Sequence, residues 1–169
     1  MEKIKNVLFL CSGNSCRSVF GEYFARWLKE TNYEEELKDI NFDSAGMFRF
    51  FDTPREGTVK YLSSKGISVD EFIAKKITRD LIIKQDLILG FEERYHIRKL
   101  KRKFKNSEGL DKKVFLLLEY AGEKENLEIE DPISLPYEEY KKVLQRIEEG
   151  VIKSVEKIIK INKDMDEQI

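Results

Sequence analysis

"VLFLCSGNSCRSVFGEYF", residues 7–24, decides how this chain is read. It starts as an apolar run, crosses a short polar turn that holds both cysteines of the chain, and continues with Phe20, Tyr23, Phe24, Trp27 and Leu28 at helical spacing. The pattern predicts a strand over residues 6–10, Cys11 at its end, and a helix beginning near Arg17. Between them lie Ser12, Gly13, Asn14 and Ser15, small residues that can turn successive backbone N–H groups inward. The N-terminal end of the helix dipole adds partial positive charge to the same spot, which makes an anion cradle. That field favours thiolate over thiol, and cysteines at helix N-termini have their pKa lowered from ~8.5 into the range ~3.5 to 7.5. Cys11 is therefore a candidate nucleophile that needs no histidine base, and the only histidine, His96, is far from any evident motif. Arg17 supplies a planar fork able to grip two oxygens of a tetrahedral anion and to neutralise charge as phosphorus becomes pentacoordinate.

Each cysteine alone also reads as an ordinary small hydrophobe of a core. The specific signal is joint: a Cys, five residues including Gly13, then Arg17 and Ser18, set between a strand and a helix. A structural zinc site would need four ligands, and Cys11, Cys16 and His96 supply three at most, so no metal is expected. The turn lacks Gly-Lys-Ser/Thr and is not a nucleotide-binding Walker loop.

Outward from this stretch the chain alternates strands and helices. A second strand is expected over residues 40–44, where Ile40 and Phe42 alternate with Asn41 and Asp43. A helix is expected over residues 54–65, with Thr53 as N-cap, Pro54 in the first turn, Glu56 closing a capping box and Gly66 as the stop. Residues 86–90 and 113–118 read as a third and a fourth strand, and residues 92–104 as a helix between them. Tyr140, Val143, Ile147, Val151, Val155 and Ile158 mark one apolar stripe of a long final helix. Strands joined by helices imply right-handed crossovers, a parallel sheet and a doubly wound three-layer α/β domain, with the ligand site beyond the carboxyl ends of the strands. Cys11 sits at such an end. One domain over residues 1–160 is expected, followed by a charged tail over 161–169 that frays.

The 169 residues carry 31 Lys plus Arg against 32 Asp plus Glu, so charge gives no reason to expect nucleic acid or an anionic membrane as partner. No apolar run approaches the ~20 residues of a membrane span and no secretory leader pattern is present, which predicts a cytoplasmic protein. In that compartment two cysteines stay reduced and are available for chemistry. A monomer is expected.

"VLFLCSGNSCRS" resembles the phosphate-binding loop of low-molecular-weight protein tyrosine phosphatases, with Cys11 and Arg17 at the ends of the Cys-x5-Arg signature. The likeness continues through "DSAG" (residues 43–46), "DP" (Asp131 and Pro132) and the long final helix, so it covers almost the whole chain. It implies a cysteine-dependent, metal-independent and cofactor-free phosphatase on a small fold with a central four-stranded parallel sheet. By that resemblance Cys11 attacks phosphorus and forms a phosphocysteine, and Arg17 with the amides of residues 12–18 holds the equatorial oxygens. Asn14 and Ser18 shape the loop, Ser18 donates toward the thiolate, and Ser44 braces Asn14. Asp131 protonates the leaving group and then takes a proton from water. Taken locally Asp-Pro is an ordinary turn dipeptide; the reaction's need for an acid raises Asp131 above Glu128 and Glu130. Cys16, the second loop cysteine, either packs beneath the loop or traps an oxidised Cys11 as a disulfide.

The implied substrate is a phosphotyrosine protein or a small aryl phosphate, yet the aryl clamp of many relatives is incomplete here. Ser12 and Ser15 stand where those have bulky apolar residues, and Ile133 and Ser134 follow Asp131-Pro132 in place of a tyrosine pair. Phe48 and Phe50, with Phe51 beside them, are the candidate pocket wall. The histidine that many relatives use to brace the loop is replaced near Phe72. A phosphoarginine phosphatase branch carries a small hydroxyl residue at the position of Ser15 and is similar in "KVFLLLEYAG" (residues 113–122), so phosphoarginine stands as the alternative substrate. Arsenate reductases share the loop but need further cysteines downstream, and none follows Cys16. Phosphocarrier domains do not need Arg17, and a silent phosphopeptide-binding module does not need Cys11, Arg17 and Asp131 together. Finally, Arg94, Arg98, Lys99, Lys101, Arg102, Lys103 and Lys105 crowd one helix and its exit, either as a solvated face or as a dock for acidic protein substrates.

Overall fold

A computed structural model describes residues 2–169. Its elements run β1 (Asn6–Cys11), α1 (Arg17–Thr31), β2 (Asn41–Gly46), α2 (Glu56–Ser64), α3 (Arg79–Lys84) and β3 (Leu87–Gly90). A π-helical turn (Glu93–Arg98) leads into α4 (Lys99–Lys103), followed by β4 (Val114–Leu116), α5 (Leu117–Tyr120) and α6 (Tyr137–Glu167). All strand pairs are parallel, in the order β2-β1-β3-β4. The order reverses between β1 and β3, so the segments leaving those two strands part and leave a crevice beyond their carboxyl ends. Cys11 ends one of these strands and Gly90 the other.

The period of two along β1 divides the core. Val7, Phe9 and Cys11 pack on one face with α1, α2, α5 and α6, while Leu8 and Leu10 pack on the other with residues of α3, α4 and the π turn. None of these five exposes more than 2 % of its surface. Burial of an apolar side chain of that size contributes about 1.5–3 kcal/mol, enough to fix the register in which Cys11 reaches the sheet edge.

The expected doubly wound domain with four parallel strands is the one found, and its departures have local causes. α2 starts at Glu56 with no side-chain cap, rather than at Pro54 under a Thr53 cap, because the Arg55 amide donates to the Ser15 carbonyl at 2.7 Å and draws residues 53–55 toward the loop. Gly66 does stop it: at φ +76° its amide bonds Ser63 and that of Ile67 bonds Leu62, the paired closure that favours glycine. Residues 92–104 form no uniform α-helix; the first turn is wound as a π-helix around His96. β4 ends after three residues because Leu117 and Leu118 both turn into the α6 side of the core, breaking strand alternation. Residues 161–167, expected as a fraying tail, continue the final helix through Glu167, and Asn162 within them exchanges two hydrogen bonds with Ile4 at 2.8 and 2.7 Å. Among the described residues no helix is long and apolar enough to cross a membrane.

Candidate active site

The loop after β1 is shaped by Asn14, which is fully buried and left-handed at φ 51°. The Lys75 amide donates to Asn14 Oδ1 at 2.9 Å, which fixes the orientation of the side-chain amide. Its Nδ2 then donates to Ser18 Oγ and Ser44 Oγ, each at 2.9 Å. Ser44 in turn donates a hydrogen bond to Glu22 Oε1 at 2.5 Å, and burial pushes the Glu22 carboxyl above its ordinary range. Ser18, whose oxygen already accepts from Asn14, has its proton left for Cys11 Sγ at 2.8 Å. One backbone amide thus orders a chain of donors that ends on the cysteine sulfur. Gly46 admits this packing, because a Cβ there would lie 2.7 Å from the Asn14 nitrogen and 2.6 Å from the Phe48 oxygen. Among the described residues, the N–H groups of residues 12–16 donate to no protein acceptor, as a cradle for an anion requires.

Arg17 begins α1 and is 2 % exposed. Its Nη1 donates to Glu92 Oε1 at 2.5 Å and to the Ile129 carbonyl at 2.7 Å, its Cζ lies 5.8 Å from the centroid of the Phe91 ring, and its Nε is buried with no partner among the described residues. One edge of the guanidinium is clamped, and Nε remains free for another acceptor. Asp131 Oδ2 lies 3.9 Å from Arg17 Nη2. The aspartate is 43 % exposed and is held by the Ile133 amide, which donates to its Oδ1 at 3.1 Å. Arg17 and Asp131 meet across 3.9 Å, Cys11, Asn14, Ser18 and Ser44 are joined by hydrogen bonds, and Ser12, Gly13, Ser15 and Cys16 complete the loop between β1 and α1.

Phe48 and Phe50 flank the loop, their rings 5.6 Å apart and 37 % and 72 % exposed. The Phe48 amide donates to the Ser12 carbonyl at 2.8 Å, and Phe50 comes within 3.8 Å of the Cβ direction of Gly13. Phe51 stacks instead with Arg55, 4.2 Å from its ring. Cys16 lies inward: its Sγ and Thr58 Oγ1 meet the Tyr140 hydroxyl at 2.8 and 2.7 Å, and burial pushes its thiol up to about 12.

Two site residues were missed in the sequence. Glu92 holds Arg17, and His96, although far from the loop in sequence, reaches it: its Nε2 lies 3.2 Å from Ser12 Oγ. The Phe91 and Glu92 amides both donate to His96 Nδ1 at 3.0 Å, so the proton sits on Nε2 and is donated to Ser12. Burial first, then the charges of Arg17 and Lys99, lower the His96 pKa to about 2. The available signal was position, since both residues follow β3 at the carboxyl edge of the sheet. Phe72 packs in the core against Tyr23, and Asn14 is braced by the Lys75 amide and by Ser44, which Glu22 holds in turn.

The family model for low molecular weight phosphotyrosine protein phosphatases matches residues 6–165. The low molecular weight phosphotyrosine protein phosphatase of Gallus gallus is 32% identical over 130 residues, covering 77% of this chain and 80% of its own. The low molecular weight protein-tyrosine-phosphatase YfkJ of Bacillus subtilis is 30% identical over 130 residues, covering 75% and 80%. Its crystal structure superposes with a TM-score of 0.82 over 94% of this chain and 97% of that one, at 26% identity. The YwlE arginine phosphatase from Geobacillus stearothermophilus shares the fold, with a TM-score of 0.81 over 95% and 96% of the two chains at 20% identity.

Proposed function

The chain belongs to the low molecular weight phosphotyrosine protein phosphatase family, and from that premise we propose that it hydrolyses phosphotyrosine and aryl phosphates without a metal, through a phosphocysteine on Cys11. The observation that carries this reading is the buried, unpartnered Nε of Arg17 beside loop amides that no protein acceptor takes. Donors left open in that way suit a phosphoryl dianion, which a structural arginine would not need.

The Cys11 thiolate attacks phosphorus in line, and the S–P bond forms as the bond from phosphorus to the phenolic oxygen breaks. Asp131, protonated, gives its proton to the departing phenolate. The resulting carboxylate takes a proton from water as that water's oxygen attacks phosphorus, and the S–P bond breaks to release phosphate and the thiolate. Arg17 Nε and Nη2 with the loop amides hold the equatorial oxygens, Glu92 and the Ile129 carbonyl hold Nη1, and Ser18 donates to the sulfur whenever it is the nucleophile or the leaving group. Phe48 and Phe50 supply a wall for the ring of the substrate.

Hydrolysis of p-nitrophenyl phosphate in chelator, by the native chain and by Cys11→Ser, tests this. Metal-free turnover that vanishes in the variant is expected, and unchanged turnover would overturn the assignment. A second reading, phosphoarginine as substrate, is favoured by Ser12 and Ser15, whose small hydroxyl side chains leave room for a planar guanidinium; a phosphoarginine peptide in the same assay decides between them. The cytoplasm is the compartment in which its two free cysteines stay reduced, and we place the chain there as a monomer.

A further inference from the structure

Basic residues crowd the helix after β3, and among the described ion pairs only some of them meet a carboxylate. Arg98 pairs with Glu93 at 3.7 Å and Lys101 with Asp111 at 3.2 Å, and Arg94 lies over the Tyr95 ring. Lys75, which braces Asn14, is paired with Asp43 at 2.6 Å. Lys76, Lys99 and Lys103 have no carboxylate partner among the described ion pairs, and Lys99 and Lys103 stand one helical turn apart on α4. Partial desolvation, then the charges of Lys76 and Lys99, lower the Lys103 pKa below the ordinary lysine value.

Two of the three stand against residues next to the loop after β1. Lys99 Nζ stands 3.8 Å from the centroid of Phe48, whose amide is bonded to Ser12 of the loop. Lys76 is bridged through its backbone to Gly46, the residue that backs Asn14. Like charges near one another repel, and among the described ion pairs carboxylates meet Lys75, Arg98 and Lys101 but not these three. Such a patch favours an anionic visitor at the rim.

We propose that Lys76, Lys99 and Lys103 form a docking patch for Asp and Glu side chains that flank the phosphorylated residue of a protein substrate, which enters past Phe48. This rests on the phosphatase reading above. The patch sets which phosphorylated segments are preferred and leaves the chemistry at Cys11 as it is.

Two phosphotyrosine peptides of equal length test it, one with Asp and Glu around the phosphotyrosine and one with Asn and Gln at the same positions. The native protein is expected to favour the acidic peptide by about tenfold in kcat/KM at low ionic strength, the sum of three modest exposed ion pairs, with the preference shrinking as salt rises. The triple variant Lys76→Gln/Lys99→Gln/Lys103→Gln is expected to bring the ratio near one, and Lys103→Glu alone to lower it. Equal kcat/KM for both peptides in the native protein, or an undiminished ratio in the triple variant, would overturn the proposal. Binding of the same peptides to Cys11→Ser, read by fluorescence anisotropy, separates the two ideas. A binding preference without any hydrolysis sinks the phosphatase reading and leaves the docking patch standing, and equal binding does the reverse.

Discussion

His96 Nε2–H donates to Ser12 Oγ across 3.2 Å because the other ring nitrogen is fully used by the amides of Phe91 and Glu92. One neutral imidazole thereby joins the phosphate loop to the segment that carries the clamp on Arg17. The π-helical winding of Glu93–Arg98 puts the ring there, such turns being common where function needs a side chain re-aimed.

A pH dependence of stability follows. His96 titrates near about 2 when folded, below the ~6.5 of an unfolded histidine, so under acid the unfolded chain binds a proton that the native chain refuses. The stability contributed by the neutral ring is complete above ~6.5 and lost as pH falls below it, by up to about 1.4 kcal/mol per pH unit. Urea unfolding of the native protein is expected to show this steeper acid loss relative to His96→Gln. Parallel stability curves for the two proteins would refute the neutral, locked ring.

Glu92 and Arg17 form a half-buried pair at 2.5 Å. Removing the carboxylate leaves a guanidinium that is 2 % exposed without its main counter-charge, at a cost of about 3 kcal/mol for a pair of this burial. Glu92→Gln is expected to be less stable by that order. It is also expected to recover more stability than the native protein when inorganic phosphate is added, since the anion takes the place of the missing charge. Thermal unfolding with and without phosphate checks both, and equal phosphate shifts would mean that Glu92 does not govern the charge of Arg17.

Cys16 bears on oxidation. Burial raises its thiol to about 12, and the Tyr140 hydroxyl lies 2.8 Å away. A thiol must ionise before it can attack an oxidised neighbour. At neutral pH peroxide is therefore expected to carry Cys11 to sulfenic and sulfinic acid faster than a Cys11–Cys16 disulfide forms, with disulfide yield rising as pH rises. Mass spectrometry of quenched digests reads the ratio, and prompt disulfide at neutral pH would show that Cys16 is a competent resolving thiol.

What could be read in the sequence was local. The alternation along residues 7–11 and the close at Gly66 depend on neighbours in the chain, and both hold. The clamp on Arg17 and the donor to Ser12 come from 75 and 84 residues away, brought near only because β1 and β3 pair in parallel and end side by side. No periodicity encodes such a meeting. The expected Thr53 cap failed for a related reason: the Arg55 amide is engaged by Ser15, forty residues earlier, and a tertiary bond displaced a local rule.

Asp131 carries the last prediction. It is 43 % exposed, lies 3.9 Å from Arg17 Nη2, and is aimed by the Ile133 amide. An acid placed there matters in proportion to how badly the leaving group needs a proton. With phenyl phosphate, whose phenolate has a pKa near ~10, Asp131→Asn is expected to lower kcat by about 10²–10³-fold. With p-nitrophenyl phosphate, a far better leaving group, the loss is expected to be smaller, so the dependence of kcat on leaving-group pKa steepens in the variant. The same proportional loss for both substrates would mean that Asp131 positions Arg17 and that another group delivers the proton.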